Sequence, residues 1–276
     1  FDHIREAINF RLADADTYLA DLDKQIKHHT YEYKRLVDDE YFDQLSSVFR
    51  FEELGKLLIM KIEYLRSHGR ENEVDGIMEE YKFVPDVCSF KINELLEKGL
   101  EDEALKEIDK TIAAYGDDGY NATETWHLQK VAILEKRNDK VGLIEEYRRL
   151  FRQHLVDKRT YFEKLKELVD KEDWDEFVVK LFEDIPHITD DDCILVCDMI
   201  VEEKKFSCLM KILMDNVMSF SRVQLFKKYA PYMSEEDQAT YTNHVIEELR
   251  MHLSYAKSKS YGYIVDDIKG MYTCCE

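Results

Sequence analysis

Three stretches of similar character decide the fold: EKGLEDEAL at 97–105, EKRNDKVGL at 135–143 and DKEDWDEF at 170–177. In each, a charged helix end leads into a short polar turn, and a second segment with apolar residues at helical spacing follows. The corresponding small or apolar positions are Ala104, Gly142 and Phe177. Their spacing is roughly 35 residues, a period typical of helical solenoids. The middle of the chain is therefore predicted to be an array of repeated helix pairs.

The composition also favours an all-α fold. The chain has 276 residues, of which 45% are hydrophobic and 36% are charged, but only 9 are Gly and 3 are Pro. Turn-rich β folds need more Gly and Pro than this, whereas Leu, Glu and Lys favour helices. We predict an α-solenoid of antiparallel helix pairs, similar to tetratricopeptide arrays, with about 13 to 15 helices.

Three regions are predicted along the chain: an N-terminal helical cap at 1–50, a helical-repeat array at 51–218, and C-terminal helices at 219–276. The first region is less regular than the middle, and a solenoid needs atypical terminal units to cover its last apolar face. The chain does not begin with Met, and its final predicted helix stops without a visible cap. We therefore expect it to be a piece of a longer protein.

Local signals predict where individual helices begin and end. One helix is expected over residues 2–28, with a second segment opening at Thr30. Gly69 is expected to end a helix in the left-handed conformation. Asp86 and Ser234 are expected to cap the helices that follow them, because their side-chain oxygens can accept from free backbone N–H groups.

The charge balance restricts the partners. Lys and Arg number 39 against 59 Asp and Glu, which makes the net charge -20. Such a surface repels phosphate backbones and anionic membranes, so neither direct nucleic-acid binding nor membrane binding is expected. No apolar run is long enough for a transmembrane helix, and the N-terminus lacks a secretory pattern. A cytoplasmic protein that binds other proteins or peptides, preferably basic ones, is the prediction.

The cysteines could serve as metal ligands or as core residues, and core packing is favoured. They are Cys88, Cys193, Cys197, Cys208, Cys274 and Cys275. Cys193 and Cys197 lie four residues apart on one predicted helix, but a zinc site needs four ligands and no matching second pair follows. Four of the six have apolar neighbours at helical spacing, which is typical of buried free thiols.

No catalytic, cofactor or metal residue is predicted elsewhere. The nine histidines are scattered, and no H-E-x-x-H, Walker A, G-x-G-x-x-G or G-x-S-x-G motif occurs. The loop at 116–121 is the strongest break in the chain. Its carboxylates at 117–124 invite comparison with a calcium loop, but the EF-hand order of ligands is absent. A solvated connection between helices is the favoured interpretation.

Two stretches resemble known families. Residues 96–105 resemble the inter-helix turn of tetratricopeptide-like repeats, although the W-x2-L-G-x2-Y pattern is not met. Residues 160–177, with TYFEKLKELV, Trp174 and Phe177, are similar to the helical region C-terminal to the finger of bacterial SWIM zinc-finger proteins. In that family a C-x-C…C-x-H cluster binds zinc and serves DNA or protein contacts. Neither element occurs in this sequence, so the resemblance implies a helical partner module and no zinc or DNA ligand.

The leading interpretation is a non-enzymatic protein–protein interaction scaffold, a helical-repeat module of a larger, zinc-finger-containing protein. Its concave acidic surface would accept a protein segment. The alternatives are an accessory domain of an enzyme, or of a nucleic-acid-associated protein, whose active part lies outside this chain. A deep pocket in which His, Asp and Cys converge from separate helices would favour the enzyme.

Overall fold

The secondary structure is helical throughout the residues that the computed structural model describes. These are residues 15–37, 44–115, 122–153, 157–186, 190–215 and 222–255, with 262, 265–266 and 269–270. No strand occurs in these ranges. The prediction of an all-α protein is confirmed.

Thirteen α-helices and two 3-10 helices lie in this part of the chain. The α-helices are α1 (Ala15–Val37), α2 (Gln44–Ser67), α3 (Glu71–Glu80), α4 (Pro85–Glu97), α5 (Glu101–Tyr115), α6 (Ala122–Arg137), α7 (Lys140–Arg152), α8 (Lys158–Leu168), α9 (Trp174–Glu183), α10 (Asp190–Glu202), α11 (Leu209–Asp215), α12 (Arg222–Tyr229) and α13 (Glu235–Tyr255). The 3-10 helices are η1 (Phe206–Cys208) and η2 (Ala230–Tyr232). The number of α-helices agrees with the sequence prediction.

The three quoted stretches are turns between consecutive helices, as predicted. Gly99 closes the turn between α4 and α5 with φ of 72°, a left-handed conformation that favours glycine. Asn138 takes φ of 53° between α6 and α7, and the Asp139 side chain then accepts from the N–H of Gly142 at 2.9 Å. The third turn lies between α8 and α9, which begins at Trp174. Short turns of this kind let α4 pack on α5 and α6 pack on α7.

Two of the predicted helix ends are confirmed. Gly69 follows α2 with φ of 70°. Ser234 caps α13, because its Oγ accepts from the N–H of Asp237 at 3.1 Å. Both satisfy backbone groups that a helix end leaves without an intrahelical partner.

Two other predicted boundaries are wrong. α1 runs through Thr30 without a break, because no Gly or Pro interrupts Ala15–Val37. Asp86 is not the cap of α4, which begins at Pro85 after an extended Val84 without a side-chain cap. The φ of proline suits the first helical position, and proline favours an extended residue before it. The boundary therefore falls one residue earlier than the carboxylate suggested.

The chain divides into two compact units, unit 1 (Phe1–Gly116) and unit 2 (Asp117–Glu276). The division falls in the loop at 116–121, which is the strongest break in the sequence and itself lies outside the described residues. α2 continues across residue 50, so the predicted end of the N-terminal cap falls inside a helix. The second predicted boundary, at residue 218, lies outside the described ranges.

Unit 1 is organised around α2, which contacts α1, α3 and α4, while α4 also contacts α5. Its core consists of Tyr18, Leu19, Leu22, Ile26, Leu54, Leu57, Leu58, Ile62, Tyr64, Leu65, Val74, Ile77, Tyr81, Val84 and Val87. α2 and α4 approach closely at Gly55, where a Cβ atom would lie 2.0 Å from Oδ2 of Asp86. Full burial stabilises each large apolar side chain by about 1.5–3 kcal/mol relative to exposure.

Unit 2 packs α7 between α6 and α8, α8 against α10, and α11 against α10, α12 and α13. Aromatic rings connect the middle of its core. Phe162 stacks on Phe182 with ring centroids 5.8 Å apart and meets the edge of Trp174 at 5.5 Å. Such pairs add about 0.5–1.5 kcal/mol beyond the area that they bury.

Several sequence predictions fall on residues outside the described part. The sequence predicts an acidic turn at 38–40, a helix cap at Thr189 and a last helix at 261–275. The turn, the cap, Cys274, Cys275 and most of that last helix lie outside the described ranges.

Candidate functional site

Unit 1 has an open groove between three helices, which we call the α1–α3 groove. α1 and α3 both pack on α2 and form its walls, and α2 forms its floor. Its volume is about 450 Å³, a size found in ligand-binding clefts. The lining residues are Asp23, Ile26, Lys27, Thr30 and Tyr31 of α1, Leu58 and Lys61 of α2, and Ile77, Glu80 and Tyr81 of α3.

Helical periodicity explains the lining of the groove. The five residues of α1 are separated by steps of three and one, which place them on one face of the helix. The base of the groove is apolar, since Ile26, Leu58 and Ile77 are all buried. Tyr31 stands at the edge with 65% of its surface exposed. An apolar base beside an exposed aromatic ring is suited to contact with another protein.

The charges of the groove that have no partner among the described residues have opposite signs on opposite walls. Lys61 donates from the floor to the carboxylate of Asp23, which neutralises both groups. Lys27 on α1 and Glu80 on α3 are exposed, and neither forms an ion pair within the ranges that the structure describes. The groove therefore offers one ammonium group and one carboxylate to a ligand.

A smaller pocket of about 200 Å³ lies among α3, α4 and α5. The thiol of Cys88 lines it and donates to the carbonyl oxygen of Lys82 at 3.1 Å. Burial raises the pKa of the Cys88 thiol, which keeps it protonated and weakly nucleophilic. Lys91 and Lys110 both lie within 3.7 Å of the Glu107 carboxylate, so their charges are largely compensated.

Unit 2 contains a buried polar cluster between α6 and α7, formed by His127, Lys130 and Glu146. The His127 ring donates from Nδ1 to Oε1 of Glu146, and Lys130 Nζ lies 3.2 Å from Oε2. Burial disfavours the charged form of Glu146, yet His127 and Lys130 hold the pKa of its carboxyl below the usual value. A His–Glu pair can act in proton transfer when substrate reaches it. Here the side chains of His127 and Glu146 are at most 1% exposed, so the pair serves to hold α6 against α7.

Lys158 is a second buried charge in unit 2. Its Nζ donates to the carbonyl oxygens of Phe151 and Gln153, which end α7, at 2.9 and 2.5 Å. A carboxylate of α10, that of Asp192, lies 3.9 Å away. Burial lowers the pKa of the Lys158 ammonium, and Asp192 opposes this effect. The side chain thus joins the end of α7 to the starts of α8 and α10.

The cysteines of unit 2 lie in its apolar core. Cys193, Cys197 and Cys208 are all buried among hydrophobic side chains. The neighbouring Cys193 thiol and burial raise the pKa of Cys197, which disfavours the thiolate that a metal requires. No group of three or more His, Cys, Asp or Glu with metal-binding geometry occurs among the described residues.

Sequence reasoning missed the buried polar residues of unit 2. No role was predicted for His127 among the scattered histidines, whereas it lies inside α6 and is fully buried. A signal existed, because Glu146 and Lys158 fall at core positions of their helices' apolar stripes. The sequence predicts a concave binding surface but not the position or lining of the α1–α3 groove, because the lining comes from three helices that are separate in sequence.

The fold places the chain among all-α proteins. Comparison with known proteins finds no matching family model, no similar curated protein and no similar solved structure. None of the helices in the described ranges is long and apolar enough to cross a membrane. The resemblances to tetratricopeptide-like and SWIM zinc-finger proteins remain predictions.

Proposed function

We propose that the chain is a non-enzymatic protein–protein interaction scaffold and that the α1–α3 groove is a binding site for a protein segment. The observation that carries this proposal is the groove itself, with its buried apolar base and the exposed Tyr31 ring at its edge. Aromatic side chains beside apolar pockets contribute most of the affinity in many protein interfaces.

An α-solenoid is the architecture that we propose for this scaffold, and the helix contacts support it. Helices contact a helix adjacent in sequence and also the helix two positions along the chain, as in α2 with α4, α8 with α10 and α11 with α13. Stacked repeats produce such contacts, because each helix pair packs on the next pair.

The net charge of the chain supports rapid association with partners that carry basic residues. A net charge of -20 raises the rate at which a positively charged segment meets the surface. The acid–base groups that the structure brings together support a role without catalysis, because His127 and Glu146 are closed off from solvent.

A peptide-binding measurement tests the proposal. The probe is a fluorescent Ala-rich helical peptide of about 15 residues, the length at which such helices become stable, with three Leu on one face and Lys beside them. Removal of the ring in Tyr31→Ala is expected to weaken binding about thirtyfold, which corresponds to the roughly 2 kcal/mol that defines a hot spot. Added salt is expected to slow association.

Val141→Ala is the matched control, since Val141 is an apolar residue of unit 2 that is 78% exposed. It should leave the affinity unchanged. Absence of binding to the wild-type chain, or equal binding by wild type and Tyr31→Ala, would overturn the proposal.

A further inference from the structure

We propose that the segment bound in the α1–α3 groove is an amphipathic helix with one acidic flank and one basic flank. The acidic flank would face Lys27 on α1, and the basic flank would face Glu80 on α3. This inference rests on the proposed function and specifies the partner of the same site.

The dimensions of the groove suit a helix. The lining residues of α1 run from Asp23 to Tyr31, which at 1.5 Å per residue is about 12 Å, or two helical turns. An incoming helix would lay apolar residues at positions i, i+4 and i+7 over Ile26 and Ile77 and against the exposed Tyr31 ring.

The unpaired charges select the flanks of that helix. Within the described ranges the other charged lining residues, Asp23 and Lys61, neutralise each other, whereas Lys27 and Glu80 have no such partner. A ligand with two basic flanks would meet Lys27 as a like charge. The net negative charge of the whole chain attracts cations, but charges more than about 8 Å from the ligand are screened at physiological ionic strength. Local contacts therefore decide the preference once the ligand is in the groove.

A specificity switch tests the inference. Three peptides share one apolar stripe and carry mixed, doubly basic or doubly acidic flanks, and anisotropy measures their affinities at physiological salt. The wild-type chain should prefer the mixed peptide about threefold, the size of a surface ion pair. Lys27→Glu should switch the preference to the doubly basic peptide, and Glu80→Lys to the doubly acidic one. Circular dichroism checks that each variant is folded, which is expected because both residues are exposed.

Two controls separate local contact from net charge. Lys106→Glu and Glu103→Lys make the same charge changes on exposed positions of α5, which does not line the groove. Both should keep the preference for the mixed peptide. If all three peptides bind equally, or if the controls switch as the groove variants do, the inference is overturned while the proposed function stands. If no peptide binds any variant, the proposed function fails and the inference fails with it.

Discussion

Unit 1 and unit 2 are both helical, but they differ in how many polar and charged side chains they bury. Among the described residues, the buried charged side chains Glu146 and Lys158 both belong to unit 2, as does the buried His127. In the described part of unit 1, Thr111 is the one buried polar residue. Unit 1 instead keeps its charges on the walls of an open groove, where Lys27 and Glu80 are exposed.

This difference indicates a division of roles. The packing of unit 2 depends on polar partners that no solvent can replace, so removal of one partner should be severe. The charges of the unit 1 groove can change without loss of the core, which leaves them free to determine what binds. Both tryptophans, Trp126 and Trp174, lie in unit 2, so tryptophan fluorescence reports on that unit alone.

The largest expected effect comes from breaking the buried cluster of unit 2. Glu146→Ala leaves His127 and Lys130 without the carboxylate that they contact, and should lower the free energy of unfolding by about 3–5 kcal/mol. Urea denaturation followed by tryptophan fluorescence measures this change.

Glu202→Gln is the control for the buried cluster. Glu202 accepts from both terminal nitrogens of Arg159, at 2.6 and 2.9 Å, but its side chain is 54% exposed. Loss of this exposed pair should change the free energy of unfolding by less than about 1 kcal/mol. Equal effects of the two substitutions would contradict the contrast between buried and exposed charge.

A smaller effect is expected at the close approach of α2 and α4 in unit 1. Gly55→Ala places a methyl group against the Asp86 side chain, whose Cβ would lie 2.8 Å from it. Overpacking of this kind should lower the stability of unit 1 by about 1–3 kcal/mol. Hydrogen exchange of the α2 and α4 amides in the full chain measures the effect.

Gly76→Ala is the matched substitution on α3. No heavy atom lies within 4 Å of a Cβ placed there, and its backbone does not have positive φ. Alanine should therefore stabilise this helix by about 0.5–1 kcal/mol. If Gly55→Ala also stabilised unit 1, the proposed contact between α2 and α4 would be wrong.

The smallest effect is a difference in acid sensitivity. Partners hold the pKa of Glu146 below 4.5, so its contribution is present above the unfolded value and is lost as pH falls through the folded value. Asp86 in unit 1 has the opposite effect on stability. Burial, with a smaller contribution from the charge of Glu52, raises the pKa of its carboxyl above 3.8. Its ionisation therefore makes unit 1 lose stability as pH rises through the folded value.

Replacement of each carboxylate by its neutral amide tests the direction of its effect on stability. Glu146→Gln should reduce the loss of unit 2 stability as pH falls below 4.5, measured by fluorescence-detected denaturation. Asp86→Asn should remove the loss of unit 1 stability that accompanies rising pH. Hydrogen-exchange rates of the α2 and α4 amides measure this change. An unchanged pH dependence in Glu146→Gln would show that other carboxylates control acid unfolding.

The helices themselves were largely predictable from sequence. Apolar spacing and the turns at Gly99 and Asn138 are local features, and local geometry follows from the residues involved. The errors at Thr30 and Asp86 arose where two signals competed. At each position a polar residue indicated the start of a helix. The absence of Gly and Pro keeps α1 continuous, and the fixed φ of Pro85 determines where α4 begins.

The groove and the buried cluster were decided only by tertiary structure. Lys61 meets Asp23 across 38 residues, and His127 meets Glu146 across 19, so nothing in the local pattern indicates either pair. The amino-acid sequence by itself determined that this chain is helical and acidic and that its strongest break lies at 116–121. Packing between distant helices decided which polar groups were enclosed and which face stayed open, because burial depends on neighbours that periodicity along one helix does not specify.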